Sequence, residues 1–280
     1  MPSEINRRVF IKGSVLTSAA GAMGLETVAG AAKGPAAKSP PATKDALPKG
    51  KIGKMPVSRL LLGGNLLTHY THSRDLKYVY NLTAHYNTKE KIFETMALAE
   101  QHGIDTLSIH TAAGVMDMLK EYRKKGGKIK WIVCPTAGID AGMKAYTKQV
   151  KQIVDDGVDA IYLWGVRGDQ LASQGKVDLI ERAVDIAKKC GVPSGVGAHD
   201  LKVVVECEKK KIDADFYIKT LHHHKYPSAP KPAELKRPYS EDPGYWCQDP
   251  NAVIEVMKSV KKPWIAYKVM AAGAISPTSA

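Results

Sequence analysis

At 280 residues, with 44% hydrophobic and 25% charged residues, the chain can bury one sizeable hydrophobic core. It contains no apolar run of the roughly 18 residues that a membrane-spanning helix needs, which excludes a transmembrane segment. Nearly half of the formal net charge of +13 lies in the first 54 residues. Lysines and acids alternate in the rest of the chain and no nucleic-acid-binding motif is present, so no specific nucleic-acid partner is predicted.

The N-terminus has the pattern of an export signal. Residues 6–12 resemble the twin-arginine (Tat) motif, with the pair Arg7 and Arg8 followed by a phenylalanine and a lysine. A weakly apolar run rich in alanine, glycine and serine comes next, and residues 29–31 offer an A-x-A cleavage site. We therefore predict that residues 1–32 are a Tat signal peptide, that the Tat translocase is a partner during export, and that the mature protein is periplasmic or extracellular.

The next segment has little to bury. Residues 33–54 consist mainly of alanine, proline, lysine and glycine, a composition typical of a flexible linker. The folded domain is therefore predicted to cover residues 55–280. Its four scattered cysteines show no CxxC spacing and do not indicate a disulfide framework.

From the start of that domain, short apolar runs alternate with segments of helical periodicity. Seven strands are predicted, at residues 58–65, 106–110, 129–134, 160–165, 194–199, 215–221 and 263–270. Six helices are predicted between or after them, at residues 89–103, 114–127, 143–156, 177–190, 201–211 and 251–261. Strands this apolar, each followed by a helix, indicate an α/β fold with a parallel sheet. The repeat favours a (β/α)8 TIM-barrel-like domain whose eighth unit is lacking or truncated.

The strand ends supply the candidate functional residues, because the carboxyl ends of barrel strands meet at one mouth. Two long loops, at residues 65–88 and 222–249, follow strands and extend this face. The predicted catalytic residues are His110, His199, His222, Lys219 and Lys268. The predicted substrate-binding residues are Asn65, Arg74, Trp164 and Asp200.

Three chemistries fit these residues, and the first is a metal site. His110, His199 and His222 together could bind a divalent cation through imidazole nitrogens. Such a metal ion would polarise a carbonyl group or activate water.

The second chemistry is Schiff-base formation. Lys219 and Lys268 each lie inside an apolar strand, and a desolvated lysine has a lowered pKa that frees its amine to attack a carbonyl carbon. The sixth-strand position of Lys219 resembles that of the catalytic lysine in Schiff-base aldolases.

The third chemistry is nicotinamide-dependent reduction. Residues 55–65 resemble the opening strand of the aldo/keto reductases, and residues 103–105 with 109–114 resemble their second strand. The resemblance implies an aldo/keto-reductase-like barrel of an exported branch. That family, however, has an aspartate where this chain has His110, and its third-strand lysine falls near Pro135, so the catalytic tetrad is absent. The cofactor phosphate site of that family follows the seventh and eighth strands, a region that this chain is predicted largely to lack. NADP is therefore a weaker candidate than a divalent metal ion.

These observations predict an exported barrel enzyme that acts on a small polar carbonyl or carbohydrate-like substrate, with or without a metal ion. A lyase, isomerase or hydrolase and a degenerate aldo/keto reductase all stay open, as does a Schiff-base aldolase. A periplasmic sugar-binding barrel without turnover is the alternative from a different class. Loop aromatics suited to stacking on sugar rings favour it, namely Tyr226, Tyr239, Tyr245 and Trp246.

Overall fold

The computed structural model describes residues 47–65, 67–71, 76, 78–236 and 247–276, all within the compact unit Pro40–Ala280. The strands of this part of the chain are β1 (Lys49–Ile52), β2 (Met55–Ser58), β3 (Leu62–Gly63), β4 (Thr106–His110), β5 (Lys130–Cys134), β6 (Ala160–Leu163), β7 (Ser194–Ala198), β8 (Phe216–Thr220) and β9 (Trp264–Tyr267). Its helices are α1 (Tyr78–Tyr86), α2 (Lys89–Gln101), α3 (Val115–Lys124), α4 (Lys144–Asp155), α5 (Gly165–Ser173), α6 (Val177–Lys189), α7 (Leu201–Lys209) and α8 (Pro250–Ser259). Two 3₁₀ segments, Pro232–Lys236 and Ala271–Gly273, complete the described elements. Among the described helices, none has the length and apolar character required to cross a membrane.

Strands β3 to β9 form one parallel, seven-stranded sheet in chain order. Each strand is joined to the next through helical segments, as expected when apolar strands are buried on both faces. The sheet is curled and alternates with helices, so it forms a half-barrel of the TIM-barrel type. The predicted fold class is confirmed. Within the described residues, β3 and β9 are the two edges of this sheet.

The side chains of the sheet alternate between two cores. In β8, Phe216 and Ile218 belong to a small cluster on the inner face of the curl, whereas Tyr217 belongs to the large cluster between the strands and the helices. The same alternation holds in β6, where Ala160 lies inside and Ile161 lies outside. This alternation decides which strand residues can reach the interior of the half-barrel.

A β-hairpin packs against the inner core. Strands β1 and β2 pair antiparallel, and Ile52 and Val57 contribute buried side chains to the inner cluster. The strand Lys49–Ile52 lies inside the segment predicted to be linker, so ordered structure begins before residue 55. The apolar Ile52 within a lysine- and glycine-rich segment is the single feature that could have indicated this strand.

Two helices were not predicted from the sequence. Helix α1 has no buried residue, so it lacks the apolar stripe by which an amphipathic helix is recognised. Helix α5 begins directly after β6 and contains Gly165 and Gly168, which suggest a turn rather than a helix. Helix α5 is the more important omission, because it carries a residue of the candidate site.

Asp105 ties the hairpin to the sheet. Its carboxylate accepts hydrogen bonds from the Ser58 backbone N–H at 2.9 Å and the Thr106 hydroxyl at 2.8 Å, and pairs with Lys49 at 3.0 Å and Lys130 at 2.9 Å. Burial alone would raise the pKa of Asp105, but these hydrogen bonds outweigh it and hold the pKa well below its usual range. The charged form is therefore the one that the fold stabilises.

Replacing this carboxylate tests that conclusion. Because the folded pKa is below the unfolded one, Asp105 contributes stability that is complete above about pH 4 and is lost as the pH falls below it. We expect Asp105→Asn to lower the free energy of unfolding at neutral pH by about 1–3 kcal/mol. The difference from the wild type should shrink steadily on acidification in thermal melts. Asp117→Asn, at a side chain that is 85% exposed, is the matched control; a deficit for Asp105→Asn that does not change with pH would contradict the assignment.

Candidate functional site

The centre of the candidate site is a buried carboxylate–imidazole pair. His199 directly follows β7, and its Nδ1 lies 2.7 Å from Oδ2 of Asp169 on α5. The other carboxylate oxygen of Asp169 accepts the backbone N–H groups of His199 at 3.0 Å and Asp200 at 2.9 Å. Asp169 is 1% exposed and His199 is 6% exposed. The carboxylate thus fixes both the backbone and the ring of His199.

Two glycines allow this pair to form. A Cβ atom on Gly168 would lie 2.6 Å from the carbonyl oxygen of Gly197, and one on Gly197 would lie 2.9 Å from the backbone nitrogen of Gly165 in α5. Helix α5 therefore packs closer to β7 than any side chain at these positions would permit. This close approach brings Asp169 within reach of His199.

The environment of His199 selects its protonation state. Burial lowers the pKa of the imidazole, the hydrogen bond and charge of Asp169 raise it, and the charges of Lys268 and Lys219 lower it; the net pKa lies below its ordinary value. Since Asp169 can only accept, the Nδ1 atom carries the ring proton. In the neutral ring, Nε2 is then the nitrogen that can take up a proton.

Lys219 hydrogen-bonds to the backbone of His199. By the alternation of β8, its side chain lies on the helix-facing side of the sheet, between the inward-facing Ile218 and Thr220. Its ammonium donates hydrogen bonds to the carbonyl oxygens of His199 at 2.7 Å and Thr220 at 3.0 Å, and the residue is 1% exposed. Burial lowers the pKa of Lys219, while the charges of Asp169 and Asp200 raise it. This placement suits an electrostatic partner better than a nucleophile that must reach the interior.

Lys268 lies at the end of β9, the strand next to β8. It directly follows β9, its φ of 61° is in the left-handed region, and its side chain is partly exposed. The ammonium is 5.6 Å from the centre of the Tyr267 ring, and that ring is 5.7 Å from the ring of His199. A residue other than glycine held at positive φ is a strained feature that occurs often at functional sites. Because Lys268 is partly exposed whereas Lys219 is buried, Lys268 presents the more accessible amine of the two lysines.

His222 and His224 hydrogen-bond to the backbone of Cys247. The Cys247 backbone N–H donates to Nε2 of His222 at 3.2 Å, and Nε2 of His224 lies 2.5 Å from the Cys247 carbonyl oxygen. Burial is the main cause that lowers the pKa of His222 to about 4. Both histidines thus hydrogen-bond to the backbone of one residue, Cys247. His223 lies in the loop, with its Nδ1 accepting from the Lys225 N–H at 3.0 Å.

His110 belongs to a different part of the mouth. Its Nε2 is 3.3 Å from the hydroxyl of Thr68, and its ring is 5.4 Å from the ring of Tyr70. The backbone carbonyl of Asn65 accepts from the Tyr70 N–H at 2.8 Å, so Asn65 and His110 share this neighbourhood. Burial lowers the pKa of His110.

These positions do not support the predicted metal site. His110, His199 and His222 are each engaged with different partners, and no group of three His, Cys, Asp or Glu residues within the described ranges is arranged to hold a metal ion. The metal-binding role of the three histidines gains no support from their geometry.

The predicted substrate-binding residues fall in three places. Trp164 is the residue before α5, beside the mouth, and the guanidinium of Arg167 lies 6.0 Å from its ring. Asp200 caps α7 by accepting the Lys202 N–H at 2.9 Å, a role that is sufficient to explain its identity. Arg74 lies outside the described residues.

Sequence reasoning missed three inward-facing groups as well as Asp169. Tyr162 lies on the inner face of β6, and its hydroxyl is hydrogen-bonded to Ser108 and Cys134. These three side chains form a buried polar cluster on the inner face of the sheet. Burial raises the pKa of Tyr162 well above its ordinary value and that of Cys134 to about 12. The sequence offers only a weak signal for Asp169, an acidic residue directly after Gly168 and shortly after an apolar strand.

A separate cavity of about 420 Å³ lies along the opposite side of α5. Its lining comes from α5, the loop between β5 and α4, and the start of α6, and includes Asp140, Arg167, Gln170 and Lys176. It contains none of the predicted site residues, so the chemistry of the strand ends is located elsewhere.

No family model matches this chain, and no curated protein matches it. Among solved structures, "QR15, an Aldolase" is 16% identical with a TM-score of 0.37, covering 54% of this chain and 68% of its own. A putative deoxyribose-phosphate aldolase from Coccidioides immitis is 11% identical with a TM-score of 0.41, covering 63% and 65%. The carboxyl transferase domain of Rhizobium etli pyruvate carboxylase is 15% identical with a TM-score of 0.38, covering 62% and 34%.

This chain thus spans about two thirds of the first two solved structures and a third of the last. Likeness at this level concerns the fold alone. The class of protein that the fold and the site define is a TIM-barrel-like α/β protein with a buried Asp–His pair at its strand ends.

Proposed function

We propose that this chain is an enzyme of the lyase or isomerase type that moves a proton on the carbon next to the carbonyl group of a small polar compound. The Asp169–His199 pair carries the proposal, since a buried carboxylate that orients an imidazole at a strand carboxyl end is the arrangement of a general acid–base group. His199 would take the proton on Nε2 and return it to another carbon or to an oxygen. Asp169 would hold the ring in the required tautomer and stabilise its charged form.

The lysines supply the matching electrostatics. Removing a proton beside a carbonyl moves an electron pair onto the carbonyl oxygen, and the negative charge needs fixed positive groups nearby. The charges of Lys268 and Lys219 both act on His199, and Lys268 is the accessible one. Lys219 would act through the backbone that it holds, and Lys268 would act on the substrate directly.

Schiff-base chemistry is the second candidate, favoured by the accessible amine of Lys268 beside His199. A lysine imine would make the same proton transfer easier and lead to aldolase-type cleavage. The buried and doubly hydrogen-bonded Lys219 is the less suitable amine, in spite of its sixth-strand position.

The remaining proposals rest on the sequence. Shared ancestry with the aldo/keto reductases is supported by the resemblance of residues 55–65, which form β2, β3 and their connection. Of the loop aromatics that favour a sugar-binding barrel, Tyr226 packs beside His222 with ring centres 6.1 Å apart, and Tyr239, Tyr245 and Trp246 lie outside the described residues. Export through the Tat pathway is proposed from residues 1–32, which also lie outside the described residues. Replacing Arg7 and Arg8 by lysines should stop secretion of a fused reporter, and unchanged secretion would contradict this proposal.

Proton transfer can be detected without knowing the full reaction. We expect the wild-type protein in D₂O to incorporate deuterium next to the carbonyl of at least one compound from a panel of small hydroxyaldehydes and hydroxyketones, followed by NMR. His199→Asn should abolish this exchange, because the Asn amide keeps a donor to Asp169 but has no Nε2. His102→Asn, at an exposed histidine that follows α2, should leave the exchange rate unchanged.

The same panel separates the two mechanisms. Borohydride added with the substrate traps an imine as a stable secondary amine, and peptide mass spectrometry then locates the modified lysine. Modification of Lys268 supports the Schiff-base mechanism, and exchange without any modification supports direct acid–base transfer. Exchange that is equally fast in His199→Asn would refute the proposed function.

A further inference from the structure

Two buried polar atoms at the end of β8 have no hydrogen-bond partner among the described residues. They are the hydroxyl oxygen of Thr220 and Nδ1 of His222, on side chains that are 0% and 5% exposed. A buried polar group without a partner destabilises the folded state, and proteins keep few of them. Two of them within three residues at one strand end call for a functional explanation.

The ring proton of His222 must be on Nδ1. Its Nε2 atom accepts the Cys247 N–H at 3.2 Å, so in the neutral ring this nitrogen carries no proton. The unpartnered atom is therefore a donor, Nδ1–H, and the neighbouring Thr220 hydroxyl can donate as well. Together they offer hydrogen bonds to an acceptor atom.

Thr220 lies at the same strand ends as the Asp169–His199 pair. Thr220 is the register partner of Tyr267, whose ring is 5.7 Å from that of His199. In addition, the Lys219 ammonium binds the carbonyl oxygens of both His199 and Thr220, which places the two strand ends side by side. The alternation of β8 turns Thr220 toward the inner face, the side on which His199 meets Tyr267.

From this juxtaposition we infer that Thr220 and His222 form an oxygen-binding subsite, in which the Thr220 hydroxyl and His222 Nδ1–H donate to one oxygen of a small polyhydroxy carbonyl compound. The inference rests on the proposed function, because it names the substrate class and orientation at the same site. The ligand oxygen would accept these hydrogen bonds near positive charge, because the ammonium groups of Lys268 and Lys219 interact electrostatically with His222. A hydroxyl or carbonyl oxygen, or the oxygen that gains charge during proton transfer, meets this requirement.

The subsite is covered in the present conformation, flanked by the rings of His224 and Tyr226 at 5.9 and 6.1 Å from the His222 ring. Only a small group could enter it, and it would do so away from bulk water, where each hydrogen bond contributes more to affinity. This favours compounds of the size of glycolaldehyde or glyceraldehyde over long sugars.

Two substitutions of His222 separate its two nitrogens. His222→Gln places an acceptor near the former Nε2 and keeps the bond from Cys247 while it removes the donor. His222→Asn places a donor near the former Nδ1 and loses the bond from Cys247. Thr220→Val removes the hydroxyl and preserves shape. All three are made in the His199→Asn background, so that binding is measured without turnover, and the probes are glyceraldehyde, glycerol with hydroxyls only, and propanal with a carbonyl only.

Imidazole NMR of the ligand-free protein should show His222 with a protonated Nδ1 and an unprotonated Nε2. Glyceraldehyde should shift the Nδ1–H resonance, and whichever of glycerol and propanal shifts it identifies the oxygen bound. Thr220→Val should melt at the same temperature as its parent or higher, because an unpartnered hydroxyl has been removed, yet bind the probe about tenfold more weakly. His222→Gln should also bind weakly with a nearly unchanged melting temperature, whereas His222→Asn should be less stable and keep more of its affinity.

Three results would overturn the inference: an Nε2–H tautomer, a resonance that responds to none of the probes, or a Thr220→Val protein that loses stability and binds normally. These outcomes are separate from the fate of the proposed function. If His199→Asn still exchanges deuterium while the Nδ1–H resonance responds to a probe, the proton-transfer role is wrong and the subsite stands. If exchange depends on His199 and the Nδ1–H resonance responds to no probe, the proton-transfer role stands and the subsite is wrong.

Discussion

Asp169→Asn should reduce the rate of deuterium exchange, and of any turnover that accompanies it, by about 10²- to 10⁴-fold. The amide oxygen can still accept the backbone N–H groups of His199 and Asp200, so the loop keeps its shape. The amide nitrogen, however, is a donor that faces Nδ1 of His199. It forces the ring proton onto Nε2, and the nitrogen that should accept the substrate proton is then blocked.

The variant should affect kcat far more than KM, because the carboxylate acts through His199 and does not touch the substrate. Its activity profile should also shift. The hydrogen bond and charge of Asp169 raise the pKa of His199, so their loss lowers that pKa, and the acidic limb of the residual activity should move to lower pH.

Asp178→Asn is the matched control for this experiment. Asp178 lies in the first turn of α6 with an exposed side chain, so its substitution removes one negative charge and leaves the site unchanged. Equal activity in the two variants would show that Asp169 has only a structural role. Thermal melts should show a loss of about 1–3 kcal/mol for Asp169→Asn, which leaves the protein folded.

Gly168→Ala should both destabilise the protein and inactivate it. The added methyl carbon would lie 2.6 Å from the Gly197 carbonyl oxygen, a distance that no relaxed structure contains, so α5 must move away from β7. Overpacking of this kind costs about 1–3 kcal/mol. Because Asp169 is the next residue, the same movement separates the carboxylate from His199, and the exchange rate should fall by at least about tenfold.

The size of the side chain, and not the loss of glycine flexibility, is what this prediction tests. Gly138→Ala is the control, because that glycine is exposed, has no atom within 4 Å of the added carbon, and does not have a positive φ. It should have the stability and exchange rate of the wild type. Gly197→Ala, whose added carbon would meet the Leu163 carbonyl oxygen at 2.8 Å, should resemble Gly168→Ala. A Gly168→Ala protein with full activity would show that α5 need not approach β7 for function.

The sequence predicted the repeating part of the fold well. The apolar runs at residues 106–110, 160–165 and 215–221 contain β4, β6 and β8, and every predicted helix matches an observed one to within a few residues at each end. These elements could be recognised because burial on one side of a helix, or on both faces of a parallel strand, leaves a regular hydrophobic period. Helix α1, with no buried residue, and the hairpin strand Lys49–Ile52, with one, leave no such period, and neither was predicted.

The site was predicted only in part. The strand-end rule grouped His199, Lys219 and Lys268, and the structure places the charges of both lysines near the imidazole, because the carboxyl ends of adjacent parallel strands meet on one edge. It could not select Asp169, which lies 30 residues before His199 on a helix whose closeness to β7 depends on two glycines. It also could not separate His110, which shares the same edge but has Thr68 and Tyr70 as its partners.

By itself, then, the sequence determined the order of strands and helices and the edge of the sheet on which polar residues collect, because both follow from local hydrophobic periodicity. Only the tertiary structure decided which face each strand residue occupies and which nitrogen of His199 and of His222 carries its proton. Those properties depend on register and on partners distant in the chain. For this reason Lys219, predicted as an electrostatic or nucleophilic partner, lies buried with its ammonium bonded to two backbone carbonyls. Likewise His222, predicted as a catalytic residue and metal ligand, accepts the backbone N–H of Cys247.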